Sequence, residues 1–430
     1  MVIIPAMMER FTLGLQTLIA FILCSLLFSY STPPITDKVE NVRAHTRAIE
    51  FDYISWTLDA AFIKLQAAAV NTPYSLGREE QKEIVMEFLR VTQTSLEQEH
   101  QLEQLFADPA ITDKEGATAQ LRADLAATQD RLSKLAPLAE AIIQNQVSEV
   151  LADVGLTSAG QPVPNVLYHA TPLPMALIVS PRDRIEQTVN ISIETNFTVD
   201  EQVELETSVD KGLNVSSLVV PIGGVGVYPT MVARTTDLRW LLEVVSHEWI
   251  HNYLTFRPLG FNYNTTPELR TMNETTANIA GKEIGMLVLE RYYPELMSPA
   301  SNPTLSLAAL PREHPDPSTL PRPPFDFRAE MHETRITTDA LLAEGKIEEA
   351  EAYMEARRQI FLENGYLLRK INQAYFAFYG AYADVPGGAA GEDPVGPAVR
   401  ALRDQSTSLE EFVNRIAWMT SFEELQQAIQ

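Results

Sequence analysis

Two stretches, Glu80 to Phe106 and Gln120 to Leu151, repeat apolar residues every three or four positions among many charges. That period is the helical one, so both predict amphipathic helices of a bundle or stalk. Breaks are expected at Asn71-Thr72-Pro73 and Asp108-Pro109. Residues 38–153 are therefore expected to form a helical spacer that packs on the domain C-terminal to it. From about residue 160 the pattern changes. Met175 to Val179, Val189 to Ile193 and Ser217 to Ile222 are short runs rich in β-branched residues, bounded by turn formers, and they predict strands. A helical stripe returns with Leu238, Leu241, Leu242, Val245 and Trp249, behind the cap-forming Thr235-Thr236-Asp237. A second helix is expected around Thr271 to Gly281. Eight of the 27 prolines fall between Pro299 and Pro324, which predicts an extended linker over 299–326. The tail from 327 reads as helical again, first from Ala340 to Asn364. A further helix through Tyr375 to Tyr382 would put Tyr375, Tyr379 and Tyr382 on one face. Gly387 to Gly391 reads as a flexible loop that would lie over a cleft.

The N-terminal end bears on the compartment. Phe11 to Tyr30 is an uncharged, mostly apolar run of 20 residues, long enough to cross a bilayer as a helix. Residues 1–10 form a short tail with one arginine and one glutamate, a faint orientation signal. Ser29-Tyr30-Ser31 is a poor cleavage site, so a single-pass anchor at 11–30 is expected, with the rest outside the cytoplasm. Cleavage, giving a secreted protein, is the alternative. Cys24, the only cysteine, lies within that run, so no intrachain disulfide can form and no cysteine can hold a metal in the remaining chain. A formal net charge of −24, with no basic stripe, argues against nucleic acid as a partner and gives a faint bias toward neutral or cationic substrates.

The densest chemistry is His247-Glu248-Trp249-Ile250-His251, in a chain with seven histidines. Residues four apart on a helix project from nearly one face, so both imidazoles can reach one metal ion, with Glu248 beside them to deprotonate a water. A zinc site of this kind needs a third protein ligand. Glu274 lies 23 residues beyond His251, room for a loop and a return helix in which Ala277, Ala280 and Gly281 permit close approach. Among the rivals, Glu283 is half a helical revolution from Glu274, Glu268 reads as a first-turn acid, and Glu243 as a neighbour or a solvated acid. Val225, Gly226 and Tyr228, in the glycine-rich stretch before the helix, read either as a strand edge that a peptide could approach or as a plain connector.

The motif and Asn273-Glu274-Thr275-Thr276-Ala277 together resemble the gluzincin peptidases, whose pattern is HExxH followed by an NExxA-like helix. The stretch His247 to Glu283 is most similar to a bacterial group of aminopeptidase-like gluzincins, as is Ile371 to Tyr375, and the likeness covers about a quarter of the chain. It implies that His247, His251 and Glu274 bind Zn2+ and that Glu248 is the general base. It implies Val225 to Tyr228 as the substrate edge, and Tyr379 or Tyr382 as oxyanion donors with His332 and Arg335 behind them. The family often has an aspartate where Asn278 stands; an amide can still orient a histidine but adds no charge. The implied fold is α+β, a zincin-like catalytic domain with a mixed sheet at 154–298 and a C-terminal helical region at 327–430. The expected function is a membrane-anchored zinc peptidase acting on a peptide or protein substrate. A catalytically inactive zincin-like cell-surface binding protein is the alternative, and a helical membrane protein with an accidental HExxH is a third class. The sequence names no substrate.

Overall fold

A computed structural model of the protein describes residues 37–68, 75–107, 111, 113–158, 160–195, 197–297, 325–385 and 387–430. The apolar run Phe11 to Tyr30, the two predicted breaks and the proline-rich stretch to Pro324 lie outside these residues. No described helix is long and apolar enough to cross a membrane.

The described residues are mixed and rich in helix, with two small sheets. It opens with α1 (Lys38–Thr46), α2 (Tyr53–Ala68), α3 (Arg78–Ala107) and α4 (Lys114–Asp153). The α3 and α4 helices match the periodic stretches closely, but they are no detached stalk. Phe88 of α3 and Ile142, Ile143, Val147 and Leu151 of α4 are buried in one core with Leu242, Trp249 and Ile250 of the motif helix. Helical periodicity marks an apolar face without saying what covers it.

Strand β1 (Tyr168–Thr171) is followed by β2 (Met175–Pro181) and β3 (Val189–Ile193), then α5 (Val199–Leu213) and β4 (Val215–Pro221). In the first sheet β2 is central and pairs antiparallel with β3 and β4. Both faces of that sheet are covered. Leu177, Val179 and Val219 pack under Leu205 and Val209 of α5. On the other face Ile178, Leu218 and Val220 meet Phe361 and Phe376 of the C-terminal helices. Burial on both faces explains the unbroken apolar runs that predicted these strands. The second sheet is mixed: β6 (Thr230–Ala233) pairs parallel with β1 and antiparallel with β5 (Gly224–Val225), which forms its edge.

Helices α6 (Leu238–Thr255), α7 (Pro258–Phe261) and α8 (Pro267–Tyr292) carry the motifs. The tail supplies α9 (Phe327–Ala343), α10 (Ile347–Glu363), α11 (Gln373–Tyr379), α12 (Val395–Gln405), α13 (Leu409–Ala417) and α14 (Phe422–Ala428). Two expectations change here. The predicted helix from Ala340 to Asn364 is interrupted at Glu344-Gly345-Lys346, where the backbone turns. The predicted helix to Tyr382 stops at Tyr379, so a turn and not helical spacing brings Tyr382 to its place.

Candidate metal centre

Asp237 caps α6 by accepting a hydrogen bond from Trp240 N, and Thr266 caps α8 through Leu269 N, with Pro267 in the first turn. The two helices pack unusually closely. A Cβ at Gly281 would lie 2.9 Å from His247 Cα, and one at Gly285 would lie 2.9 Å from Glu243 N. Only glycine lets the α8 backbone approach α6 there, and this approach brings Glu274 to the two histidines.

His247 Nε2 and His251 Nε2 are 2.9 Å apart, and Glu274 Oε2 stands 3.7 Å from the first and 3.6 Å from the second. A circle through these three atoms has a radius of about 2 Å, close to the spacing that tetrahedral zinc requires of three ligands. Glu274 Oε2 is buried and has no hydrogen-bond partner. An orphaned buried carboxylate oxygen facing two imidazole nitrogens fits a metal ion, and these three residues could hold one.

Each group around the triangle is steered. His251 Nδ1 lies 2.7 Å from Asn273 Oδ1, which fixes the ring and leaves Nε2 for the centre. Tyr263 donates its hydroxyl to Glu274 Oε1. Asn278 lies beside His247 on the wall of an adjoining cavity and donates Nδ2 to Asp384 Oδ1 at 3.1 Å. The carboxylate absent at position 278 thus stands one residue further out, on the segment after α11.

Among the protein groups alone, burial and the neighbouring His251 push His247 down to about 3, so it is neutral, the ligating form. Burial opposes charge on His251 too, but Glu274 overrides it and lifts that ring to about 9. Glu274 is held well below the usual carboxylate range, against burial, chiefly by His251. Burial pushes the Glu248 carboxyl up to about 7.

The triangle opens into a cleft of about 370 Å³. Gly224, Val225, Gly226 and Val227 form one wall, and a Cβ at Gly224 would lie 2.5 Å from Glu248 Oε1. Among the described residues β5 pairs only with β6, which leaves its other edge unpaired where Gly224 and Val225 line the cleft. Tyr53 of α2 also lines the cleft, its hydroxyl donating to Ser192 Oγ at 2.7 Å. Tyr382 closes a third side, its ring stacked on His247 with centroids 6.4 Å apart. Burial and Glu274 hold its phenol protonated, well above the ordinary value.

The structure therefore brings together His247, Glu248, His251, Glu274, Asn278, Val225, Gly226 and Tyr382. Tyr379 lines an adjoining cavity behind Glu248. Tyr228 turns away from the cleft, donating its hydroxyl to Asn165 O at 3.1 Å, and Trp249 Nε1 donates to Pro164 O at 2.8 Å on the same loop. His332 and Arg335 stand apart, Arg335 being paired with Asp339. The Gly388–Ala390 turn packs against α9 and does not cover this cleft. Of the rival acids, Glu283 pairs with Arg403 at 2.8 Å and Glu268 lies in the first turn of α8. Sequence reasoning missed Tyr53, Tyr263, Arg270 and Asp384 as parts of the site; Asn273 was within the motif, and its place next to the glutamate was the available signal. Compared with known protein families, curated proteins and solved structures, the chain matches none of them.

Proposed function

We propose that this chain is a zinc-dependent peptidase tethered to the cell membrane by Phe11 to Tyr30, with its cleft outside the cytoplasm. The observation that carries the reading is the buried, unpartnered Glu274 Oε2 facing two histidine nitrogens, beside a buried acid and an open strand edge. His247, His251 and Glu274 would hold the zinc. Bound there, Zn2+ supplies Lewis acidity, polarising a carbonyl and lowering the pKa of a water.

The chain's own groups supply the rest. The edge of β5 hydrogen-bonds an extended substrate backbone and lays it across the cleft. Glu248, made more basic by its buried setting, takes the proton of the attacking water and later gives it to the leaving amine. Tyr382 is a protonated phenol on the same wall and donates to the developing oxyanion. Asn273, and Asn278 backed by Asp384, keep both imidazoles in the ligating orientation.

The test pairs elemental analysis of the purified chain with a peptide-library assay on the wild type and Glu248→Gln. One zinc per chain in both, with turnover only in the wild type, is the expected result. Metal-free wild type after growth in zinc removes the reading; unchanged turnover in Glu248→Gln removes the base. The membrane assignment is checked by fractionating cells and by proteolysis from outside.

A further inference from the structure

Among the described residues one arginine is buried, Arg270, 7 % exposed, and the ion pairs of those residues leave it out. A guanidinium keeps its charge at any physiological pH, and a buried charge without a counter-ion is costly. The protein gives it neutral contacts. Nη1 donates to Ala377 O at 2.8 Å, the Tyr263 hydroxyl lies alongside, and Nε is buried with no partner. Glu274, one turn further along α8, has Oε1 bonded to Tyr263 and Oε2 turned to the histidines. Its charge acts on Arg270 through space, but its two oxygens are turned to Tyr263 and the histidines, so no ion pair closes on the guanidinium.

Arg270 also occupies a particular place. Among the described residues it is the only lysine or arginine lining the metal cleft. It borders as well a second cavity of about 570 Å³, which shares Asn190 and Tyr263 with the cleft. Four residues of helix separate it from Glu274, an axial distance of about 6 Å. Extended peptide advances about 3.4 Å per residue, so this offset corresponds to about two residues of substrate.

We propose that Arg270 is the specificity-determining residue of the cleft and binds a carboxylate of the substrate within about two residues of the scissile bond. The inference rests on the peptidase reading and names its substrate class. Guanidinium and carboxylate pair by charge-assisted hydrogen bonds that no neutral group replaces. The carboxylate comes from a free C-terminus or from an Asp or Glu side chain. A protein with a net charge of −24 does not draw such substrates in from a distance, so the selection is made inside the cleft. The expected bias toward neutral or cationic substrates is replaced by a local preference of opposite sign.

The test is calorimetric binding to the full-length, detergent-solubilised Glu248→Gln protein of three matched hexapeptides. One has a free C-terminus and no acidic side chain. The second is its C-terminal amide, and the third is that amide with one glutamate moved through the sequence. The expected result is that an acid form binds at least about ten-fold more tightly than the neutral amide. Which acid form does so identifies the source of the carboxylate. Adding Arg270→Gln should erase the difference, and Arg270→Lys should keep part of it. Equal binding of all three peptides overturns the proposal without any Arg270 variant, as does no binding at all. A folded Arg270→Gln protein that keeps the preference overturns it too. The peptidase reading is separated by assaying the wild type on the same peptides. Turnover of the neutral amide as fast as of the acids keeps the peptidase and removes the clamp; acid-selective binding without turnover does the reverse.

Discussion

His247 and His251 sit one turn apart on the same helix, yet they are oriented by different means. His251 leans on Asn273 of the facing helix, while His247 leans on Asn278 and, through it, on Asp384. Outer partners of this sort are typically worth about 10- to 100-fold in metal affinity. Asp384→Ala is therefore expected to weaken zinc binding by about that factor, read by competition with a chromophoric chelator, while Glu274→Ala should abolish stoichiometric zinc. Wild-type affinity in Asp384→Ala would show that Asn278 needs no carboxylate behind it. Glu248→Gln should lower turnover by about 100- to 10,000-fold and leave the zinc in place. The two histidines were legible because a four-residue spacing puts them on one face of a helix, and Glu274 because the stretch around it is similar to the NExxA-like helix that follows such a motif. Asp384 lies 106 residues from Asn278 on irregular backbone, and nothing local marks it. Arg270 looked like any helix arginine because burial is a property of the fold and not of the residue.

At the level of elements, the centre depends on how closely α8 approaches α6. Gly281 is the contact that sets this distance, since a Cβ there meets the backbone of His247 itself, which has no flexible end to move aside. Gly281→Ala should cost about 1–3 kcal/mol in urea unfolding, as overpacked cores do, and should weaken zinc binding in parallel. Lost stability with unchanged zinc affinity would mean that the helices part without moving the ligands. Strands β2, β3 and β4 and helix α3 fall within two residues of their expected ends, for they carry strong periodic or β-branched signals. Helix α4 begins six residues earlier than expected, α8 runs eleven residues further, and β1, α5 and β6 were not predicted. The interruption at Gly345 was missed because amphipathic spacing continues across it. The end of α11 was missed for a related reason: Tyr375, Tyr379 and Tyr382 do fall at helical spacing, but the backbone leaves the helix between the last two.

For the molecule as a whole, the N-terminal helices are bound in by a buried polar cluster. Glu140 of α4 is fully buried, ion-paired with Lys64 of α2, 3.0 Å from His169 Nδ1 of β1, and accepts from Ala170 N at 2.8 Å. Burial alone would raise its pKa, but Lys64 and then His169 reverse this and hold it below the ordinary 4.5. The folded state thus binds this proton more weakly than the unfolded chain. Its stabilisation is complete above about pH 4.5 and is lost as the pH falls through the lower folded value. Glu140→Gln, which leaves Lys64 buried without a counter-charge, should cost about 3–5 kcal/mol at neutral pH. Its stability should also fall less steeply than the wild type's below pH 4.5; parallel curves would mean that Glu140 does not control the acid limb.

The loop ahead of β1 reaches two sides of the cleft at once. Pro164 and Asn165 offer adjacent carbonyls, one to Trp249 on the motif helix and one to Tyr228 beyond the edge strand. The loop is a spacer gauge, holding the floor and one jaw of the slot at a set gap from outside. Residues there can shift both elements without touching His247, Glu248, His251 or Glu274. Under the proposed reading, substitutions in this loop would alter which substrates fit before they altered the binding of a metal.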